Sequence, residues 1–595
     1  MSTPAALCEA GLNHIRAGRY LDAQTCCQQA LAIDSNHADT LYLMGLLSFQ
    51  AKQYDLAVEW IARAIRQNPQ PKFLLTLGAA LWQSGRREEA LKAYEKAAQI
   101  NPENADLWKN LGDALVEAGR PADALLSFQQ ALKLDPHRWD VMQNSAIILH
   151  RLGRLEEALS CFNLCDALQP NHVPTLSIRA MCLYGLKRFA EALTDTRRAQ
   201  ALDPTNAEPC NNIGILLRSH GRDEEALEWF DRALVLRPNF PDALHNKAVA
   251  FTQTRRFHDA FAIYDGLKAA DPNDAVAHLG SAHLHMLTGN FEAGWAGREA
   301  RWKVPPLSTT YPKFLQPLWL GDGAIEGKTI LVAADEGFGD TIQFARYLPM
   351  LAERGARVVF VVQDALRLLL SDLPGVSHCI ATSTMNTSAV NALPAFDIHC
   401  PMMSLPLAFG TRLDTIPSPA SYLPRPAESR VQAWEERLGR HDKLRVGLVW
   451  SGNPNHANDH NRSLPLRALA PLFDVDATFV SLQKDPRPAD KATLLERADI
   501  IDLTAHLTDF TETAALVSCL DLVITVDTSV AHLAAALGCP TWILLPYTPD
   551  YRWLLDRDDS PWYPDARLFR QTKTRDYGEA VGRARDALLP LAFAQ

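Results

Sequence analysis

Residues 105–138 read ADLWKNLGDALVEAGRPADALLSFQQALKLDPHR, and this 34-residue plan recurs nine times between Pro4 and about residue 305, once shortened to 33. Position eight of each unit is small: Gly11, Gly45, Gly78, Gly112, Ala146, Ala180, Gly214, Ala248 and Ala282. Twelve residues later stand Ala23, Ala57, Ala90, Ala124, Ala158, Ala192, Ala226, Ala260 and Gly294. Prolines close most units, at Pro69, Pro102, Pro136, Pro170, Pro204, Pro238, Pro272 and Pro306. Two helices per unit account for the pattern. Small residues let the helices approach, a large one such as Trp108, Leu111, Leu115 or Phe128 fills the remaining gap, and proline stops the second helix.

The period, the small residues and the closing prolines identify these units as tetratricopeptide repeats. Stacked repeats form a solenoid with a long binding surface, so the first half implies a partner rather than a reaction. Asn110, Asn144, Asn212 and Asn246 share repeat position six on the first helices and are candidate contacts to a bound partner, although asparagine is also common there in ordinary repeats.

The chain has 595 residues, 47% apolar and 22% charged, an ordinary globular balance for three or four domains. A formal charge of -10 lacks the basic excess of a nucleic-acid binder. The N-terminal residues enter the first repeat without a signal-peptide pattern, and no apolar run is long enough to span a bilayer. A soluble cytoplasmic protein with no membrane insertion is expected. Eleven scattered cysteines, none in CxxC spacing, read as free thiols, and no zinc cluster is expected.

The repeat frame persists to about Ala300, where Arg298 and Arg301 replace the packing residues at positions twenty-four and twenty-seven. A terminal repeat facing a different neighbour is the reading. Short apolar runs then alternate with helix-length segments, which indicates α/β folding. Strands are expected at Thr329–Ala333, Arg357–Val362 and Phe396–His399, with helices near Thr341–Glu353 and Ala365–Ser371. The proline-rich DTIPSPASYLPRPAES, residues 414–429, reads as a linker into a helix at Arg430–Leu438. Further strands are expected at Arg445–Trp450, Thr478–Leu482, Leu522–Val526 and Thr541–Leu545, with a helix at Asp509–Cys519. The fold class is therefore α plus α/β: a repeat solenoid over residues 1–305, then Rossmann-like domains over 306–427 and 428–595.

In such sheets ligands bind beyond the carboxyl ends of the strands. After the first strand comes EGFGDTIQFARYLPML, in which Gly337 and Gly339 permit a tight turn and Asp340 opens a helix. An ordinary helix cap reads equally well from these residues. GFGD lacks the third glycine of a dinucleotide site, and GDGAIEGK at 321–328 precedes its strand, so neither NAD nor ATP is supported. Strand LVITV runs into Asp527, Thr528, Ser529 and His532 and a helix of small residues, a ready anion site of free amides and hydroxyls. WSGNPNHANDHNRSLPL offers Ser451, Asn453 and Arg462, an arginine suited to a diphosphate, although a solvated loop explains the stretch as well. Gln483 and Lys484 follow another strand. Asp474-Val475-Asp476 precedes its strand as a polar loop, and no catalytic metal is expected.

Gly339-Asp340-Thr341-Ile342 with Pro349, and Asp527-Thr528-Ser529 with His532, resemble the motifs of bacterial GT-B heptosyltransferases. The resemblance implies an acceptor-side turn at Gly337 and Gly339, with Asp340 as general base, and a donor-phosphate site at Asp527, Thr528, Ser529 and His532. Those enzymes usually carry Gly where this chain has Ser529, and they lack a long repeat array. The joined plan is similar to bacterial tetratricopeptide glycosyltransferases that modify proteins, flagellins among them, and to the O-linked N-acetylglucosamine transferases. It implies a nucleotide-sugar co-substrate without a further cofactor, and a protein acceptor. Flagellin, with a CMP-nonulosonic acid such as pseudaminic acid as donor, is the specific expectation. A glycan-directed transferase acting on lipopolysaccharide and an inactive scaffold are the alternatives.

Overall fold

The computed structural model describes residues 3–305, 311–383, 393–456 and 458–593. Pro306, expected to close the ninth unit, and the domain boundary drawn there lie outside these residues. From Pro4–Arg16 to Phe291–Arg298 the chain forms eighteen helices in nine pairs. Each pair closes around its small residues: a Cβ placed on Gly112 would sit 2.4 Å from Phe128 Cε1, and one on Gly214 equally close to Phe230 Cε1. The intervening turns use left-handed backbone, at φ 74° for Gly119 and φ 72° for Gly221, where glycine carries no Cβ penalty.

The chain divides into two compact units, Met1–Asn212 and Ile213–Gln595. The first is repeat throughout, and Asn110 and Asn144 stand on its Ala105–Glu117 and Trp139–Arg151 helices. The second contains the last repeats together with everything after them. Its compactness ignores the boundary expected at residue 305, because the repeat helices are tied to the later α/β segment. Arg575 donates to Gly221 O and Gln253 O, each at 2.9 Å, and pairs with the buried Asp223. Arg255 donates to Tyr547 O at 3.2 Å and to Asp556 at 2.7 Å.

Two parallel sheets follow the repeats. Strands β1 (Thr329–Ala333), β2 (Arg357–Val362), β3 (Val376–Ala381) and β4 (Ile398–Pro401) lie in the order β3-β2-β1-β4. Strands β5 (Arg445–Val449), β6 (Thr478–Ser481), β7 (Ile500–Ile501), β8 (Leu522–Val526), β9 (Thr541–Leu545) and β10 (Ala566–Arg570) lie in the order β10-β9-β8-β5-β6-β7. The central strands are continuous apolar runs because helices cover both faces of a parallel sheet. One core joins the terminal repeat to both sheets through Trp295, Ile330, Val332, Phe344, Ile543 and Trp562.

Several expectations change. The helix expected at Thr341–Glu353 is two helices, Phe338–Phe344 and Tyr347–Glu353. Pro349 has no N–H for the carbonyl four residues back, and the buried Arg346 takes Gln343 O at 2.7 Å. The strand expected at Phe396–His399 runs from Ile398 to Pro401, and Asp397 ahead of it donates its amide to Thr329 O at 2.8 Å and accepts the Thr329 amide on its carboxylate at 2.7 Å. The segment expected to be a helix at Ala365–Ser371 is a 3-10 turn followed by the short Arg367–Leu370 helix. The linker is packed: Tyr422 donates its amide to Ala536 O at 3.1 Å and its hydroxyl to Ile342 O at 3.0 Å, which fastens the second sheet's helix layer to the first's.

Candidate active site

The turn after β1 and the turn after β8 each deliver a helix N-terminus, Phe338–Phe344 and Ser529–Ala536. Gly339 brings them together. A Cβ there would lie 2.8 Å from His532 Cδ2 and 3.6 Å from Ser529 Cα, so the two helix starts meet where only a glycine fits. Gly337 is the N-cap of the first helix, and the Asp340 carboxylate accepts its amide at 2.9 Å.

The other Asp340 oxygen accepts from Arg552, a residue of the segment after β9. Arg552 also donates to Asp550 at 2.7 Å and to the buried Gln343 at 2.5 Å, so one guanidinium links groups carried by both sheets. Burial raises the Asp340 carboxyl above its ordinary range, and Arg552 offsets only part of that rise. A carboxylate shifted this way is a better proton acceptor near neutral pH.

On the facing helix, the buried His532 accepts or donates at Nδ1 with Tyr563 Oη at 2.9 Å and stacks on Trp553 with ring centroids 5.4 Å apart. Burial, then the charge of Arg552, holds the imidazole well below its ordinary value, so it is neutral. Asp527 lies 4.0 Å from His532 Nε2, and burial and the neighbouring Asp550 push its carboxyl up to about 6. Thr528 is the N-cap of the Ser529–Ala536 helix and makes no side-chain cap, which leaves its hydroxyl 3.3 Å from that of Thr525. Thr528 and Ser529 thus present amides and hydroxyls at a helix start, an arrangement suited to an anion.

Arg462 reaches the same place and donates to Asp527 O at 3.0 Å. Gly452 makes room for it, since a Cβ there would lie 2.7 Å from an Arg462 nitrogen. The remaining expected donor contacts divide. Gln483 is buried and its carbonyl accepts the amides of Trp450 at 3.2 Å and Ser451 at 3.0 Å, so it shapes the turn after β5. Ser451 is buried by that turn, and Asn453 accepts the Asn455 amide at 2.9 Å. Lys484 is exposed. The loop around Asp459 is more than solvated surface: Asp459 is buried, accepts from Ser463 at 2.7 Å and pairs with Arg487 at 2.5 Å.

The two arginines that broke the repeat frame also arrive here. Arg298 pairs with Glu336 at 2.5 Å, and Arg301, almost wholly buried, donates to Asp335 at 3.1 Å. The Asp335 side chain is fully buried, and burial pushes its carboxyl up to about 6 despite that partner. Among the repeat asparagines, Asn110 lines a cavity of about 320 Å³ with Trp82, Tyr94 and Asp113, and Asn144 donates to Asp113 at 3.0 Å. Asn212 and Asn246 occupy the equivalent position on their own helices and are half-buried. Among the described residues no group of three or more His, Cys, Asp or Glu side chains is placed to hold a metal, and no helix is long and apolar enough to cross a membrane.

Tetratricopeptide repeat signatures match residues 14–78, 75–137, 109–172 and 211–275, and the signature of glycosyltransferase family 9 (heptosyltransferase) matches residues 487–576. The chain joins tetratricopeptide repeats to a glycosyltransferase family 9 domain. The family 9 match contains Asp527, Ser529, His532, Asp550, Arg552 and Tyr563. The chain is 27% identical over 346 residues to Protein FlbA of Caulobacter vibrioides, covering 54% of this chain and 56% of that one. It is 30% identical over 95 residues to the peroxisomal targeting signal receptor of Saccharomyces cerevisiae, covering 16% of this chain and 15% of that one. The chain thus spans about half the length of the first relative and much less of the second. A solved structure of Pseudomonas aeruginosa PilF aligns over 35% of the chain and 94% of its own length, at 22% identity and a TM-score of 0.30.

Proposed function

We propose that this glycosyltransferase moves a sugar from a nucleotide-sugar to a Ser or Thr hydroxyl of a protein held by the repeats. The observation that carries the reading is the meeting of Asp340 with the Ser529–Ala536 helix start across the Gly339–His532 contact. A base and an anion site at that separation suit transfer between a hydroxyl and a phosphate-linked sugar. The acceptor oxygen attacks the anomeric carbon, the bond from that carbon to the phosphate oxygen breaks, its electron pair stays on the phosphate, and the hydroxyl proton passes to Asp340. The amides and hydroxyls of Thr528 and Ser529, with Arg462, stabilise the charge that grows on the leaving phosphate.

Arg552 adds a consequence. Paired with Asp340 it competes with any hydroxyl for the carboxylate, and a donor phosphate near Ser529 would draw it away. Donor binding therefore prepares the base. Flagellin as acceptor and a CMP-nonulosonic acid as donor follow from the resemblance to flagellin-modifying repeat transferases.

Intact-mass measurement of cellular proteins with and without this chain tests the reading. A sugar-sized mass increment on a protein, lost with Asp340→Asn, is the expected result. Normal acceptor modification by a chain lacking residues before about 300 would remove the capture role of the repeats. The heptosyltransferase signature favours a second reading, a glycan acceptor, in which labelled sugar appears in the lipid fraction instead of on protein.

A further inference from the structure

Beside the candidate active site the last two repeats enclose a cavity of about 400 Å³. Val276, Leu279, Gly280 and His283 form one stripe of the Ala275–Leu287 helix, three and four residues apart, and Val249 and Tyr264 complete the wall. Gly280 admits the tyrosine, for a Cβ there would lie 2.4 Å from its ring. The far end of the cavity is Arg298 and Glu336. Glu336 lies in the turn that leads from β1 to Asp340, and both of these charged groups act on the Asp340 carboxylate. The cavity wall therefore reaches the residue just before Gly337, whose amide donates to the Asp340 carboxylate at 2.9 Å.

Each ionic group on its wall already has an ion-pair partner inside the protein, which leaves His245 Nδ1 and Arg298 Nε as buried atoms without a hydrogen bond. Arg298 holds Glu336, Arg301 is taken by Glu299 at 2.6 Å and Asp335, and His245 lies 3.1 Å from Asp274. His283 meets Tyr551 edge-on at 6.1 Å, and burial lowers its pKa, so it adds no charge at neutral pH. The surface that faces the cavity is mainly apolar, so a nucleotide or a sugar entering here would leave most of its hydroxyls and phosphates against valine, leucine and a ring face, at the cost of unpaired polar groups. A polypeptide side chain without charge has no such cost, and the volume lies within the range of ligand sites.

We propose that the cavity receives an apolar side chain of the acceptor polypeptide close to the hydroxyl that is modified. The cavity then acts as a specificity pocket, fixing which Ser or Thr reaches Asp340. This rests on the proposed protein acceptor, yet it can fail separately. The test is binding of fluorescent synthetic peptides to the full chain, each with one Ser or Thr and one neighbouring position varied through Leu, Phe, Ala, Asp and Lys. Leu and Phe peptides are expected to bind at least about tenfold tighter than the Asp and Lys peptides, the scale of a filled apolar pocket. Val249→Trp and Val276→Trp, which fill the space, should abolish that difference while leaving CDP or UDP binding and the melting temperature unchanged. Equal binding of all the peptides, or undiminished discrimination in both filled variants, would overturn the proposal. Discrimination without any sugar transfer to protein would keep the pocket and sink the proposed reaction instead.

Discussion

Gly112 and Gly339 perform the same geometric act in different settings. A side chain on Gly112 would strike the Phe128 ring, and one on Gly339 would strike the His532 ring. In the repeat, the close approach joins two helices that are neighbours in sequence, and its product is packing. At the candidate active site it joins helices that follow strands of different sheets, with Gly339 and His532 193 residues apart, and its product is the meeting of the helix that carries Asp340 with the one that carries Ser529 and His532. A small residue shows that two elements touch; the polar groups carried to the contact decide whether it serves stability or chemistry.

Three substitutions can break that distinction. The largest effect is expected from Asp340→Asn, which keeps the shape of the helix start but removes the base: kcat should fall by about 100-fold to 10,000-fold while nucleotide binding is retained or tightened, because Arg552 is released. Equal turnover in a single-turnover assay would show that the Gly339 contact places no base. Gly339→Val should cost roughly 100-fold in kcat, because the Asp340 helix must retreat from His532. Gly112→Leu should do the reverse, lowering stability by about 3 kcal/mol through overpacking against Phe128 while the catalytic unit keeps its kcat, measured by thermal unfolding beside a donor-hydrolysis assay. If the two glycine variants lose stability and activity in the same proportion, the distinction between packing and placement is gone.

Much of this was legible because it is local or periodic. The nine repeats follow from spacing alone, and β8 and β9 are apolar runs whose limits match the structure at both ends. That Asp340, Thr528 and Ser529 stand at helix starts just after strands was legible because each follows a short apolar run. Arg552 was not: its partner Asp340 is 212 positions away, and nothing near Arg552 separates it from an ordinary surface arginine. Gln483 shows how such positions divide, since a polar residue after a strand can also hold the next turn, as its carbonyl does for Trp450 and Ser451. Arg298 and Arg301 left a sign, two charges at packing positions, but their partners Glu336 and Asp335 could only be found in three dimensions. β3, β7 and β10 escaped because edge strands are short or polar and lack the apolar run of a central strand.

The pH response separates the two settings further. Asp340 has a raised carboxyl, so the basic form is lost as pH falls through that raised value, and kcat should decline in mild acid, above the ordinary aspartate range of about 4. Nothing comparable acts on the repeat contact at Gly112, so unfolding of the first unit should lack that transition.

The smallest effect concerns Asp527. Its folded carboxyl titrates at about 6 against a reference value of 3.8, so the folded state binds the proton more tightly than the unfolded chain does. The sign follows by linkage: at pH 3 both states are protonated and nothing is lost, whereas above pH 6 the buried charge penalises the fold in full. Asp527→Asn should therefore raise stability at pH 7, by roughly 1–2 kcal/mol, less than a full two-unit shift because Arg462 and Arg552 lose a counter-charge. The gain should shrink as pH falls from 6 to 4, followed by thermal unfolding at each pH. A constant gain across that range would mean that Asp527 is uncharged or that its carboxyl is not penalised by burial. A gain in stability with a loss of transfer would place Asp527 with Asp340, among groups held for chemistry at the expense of the fold.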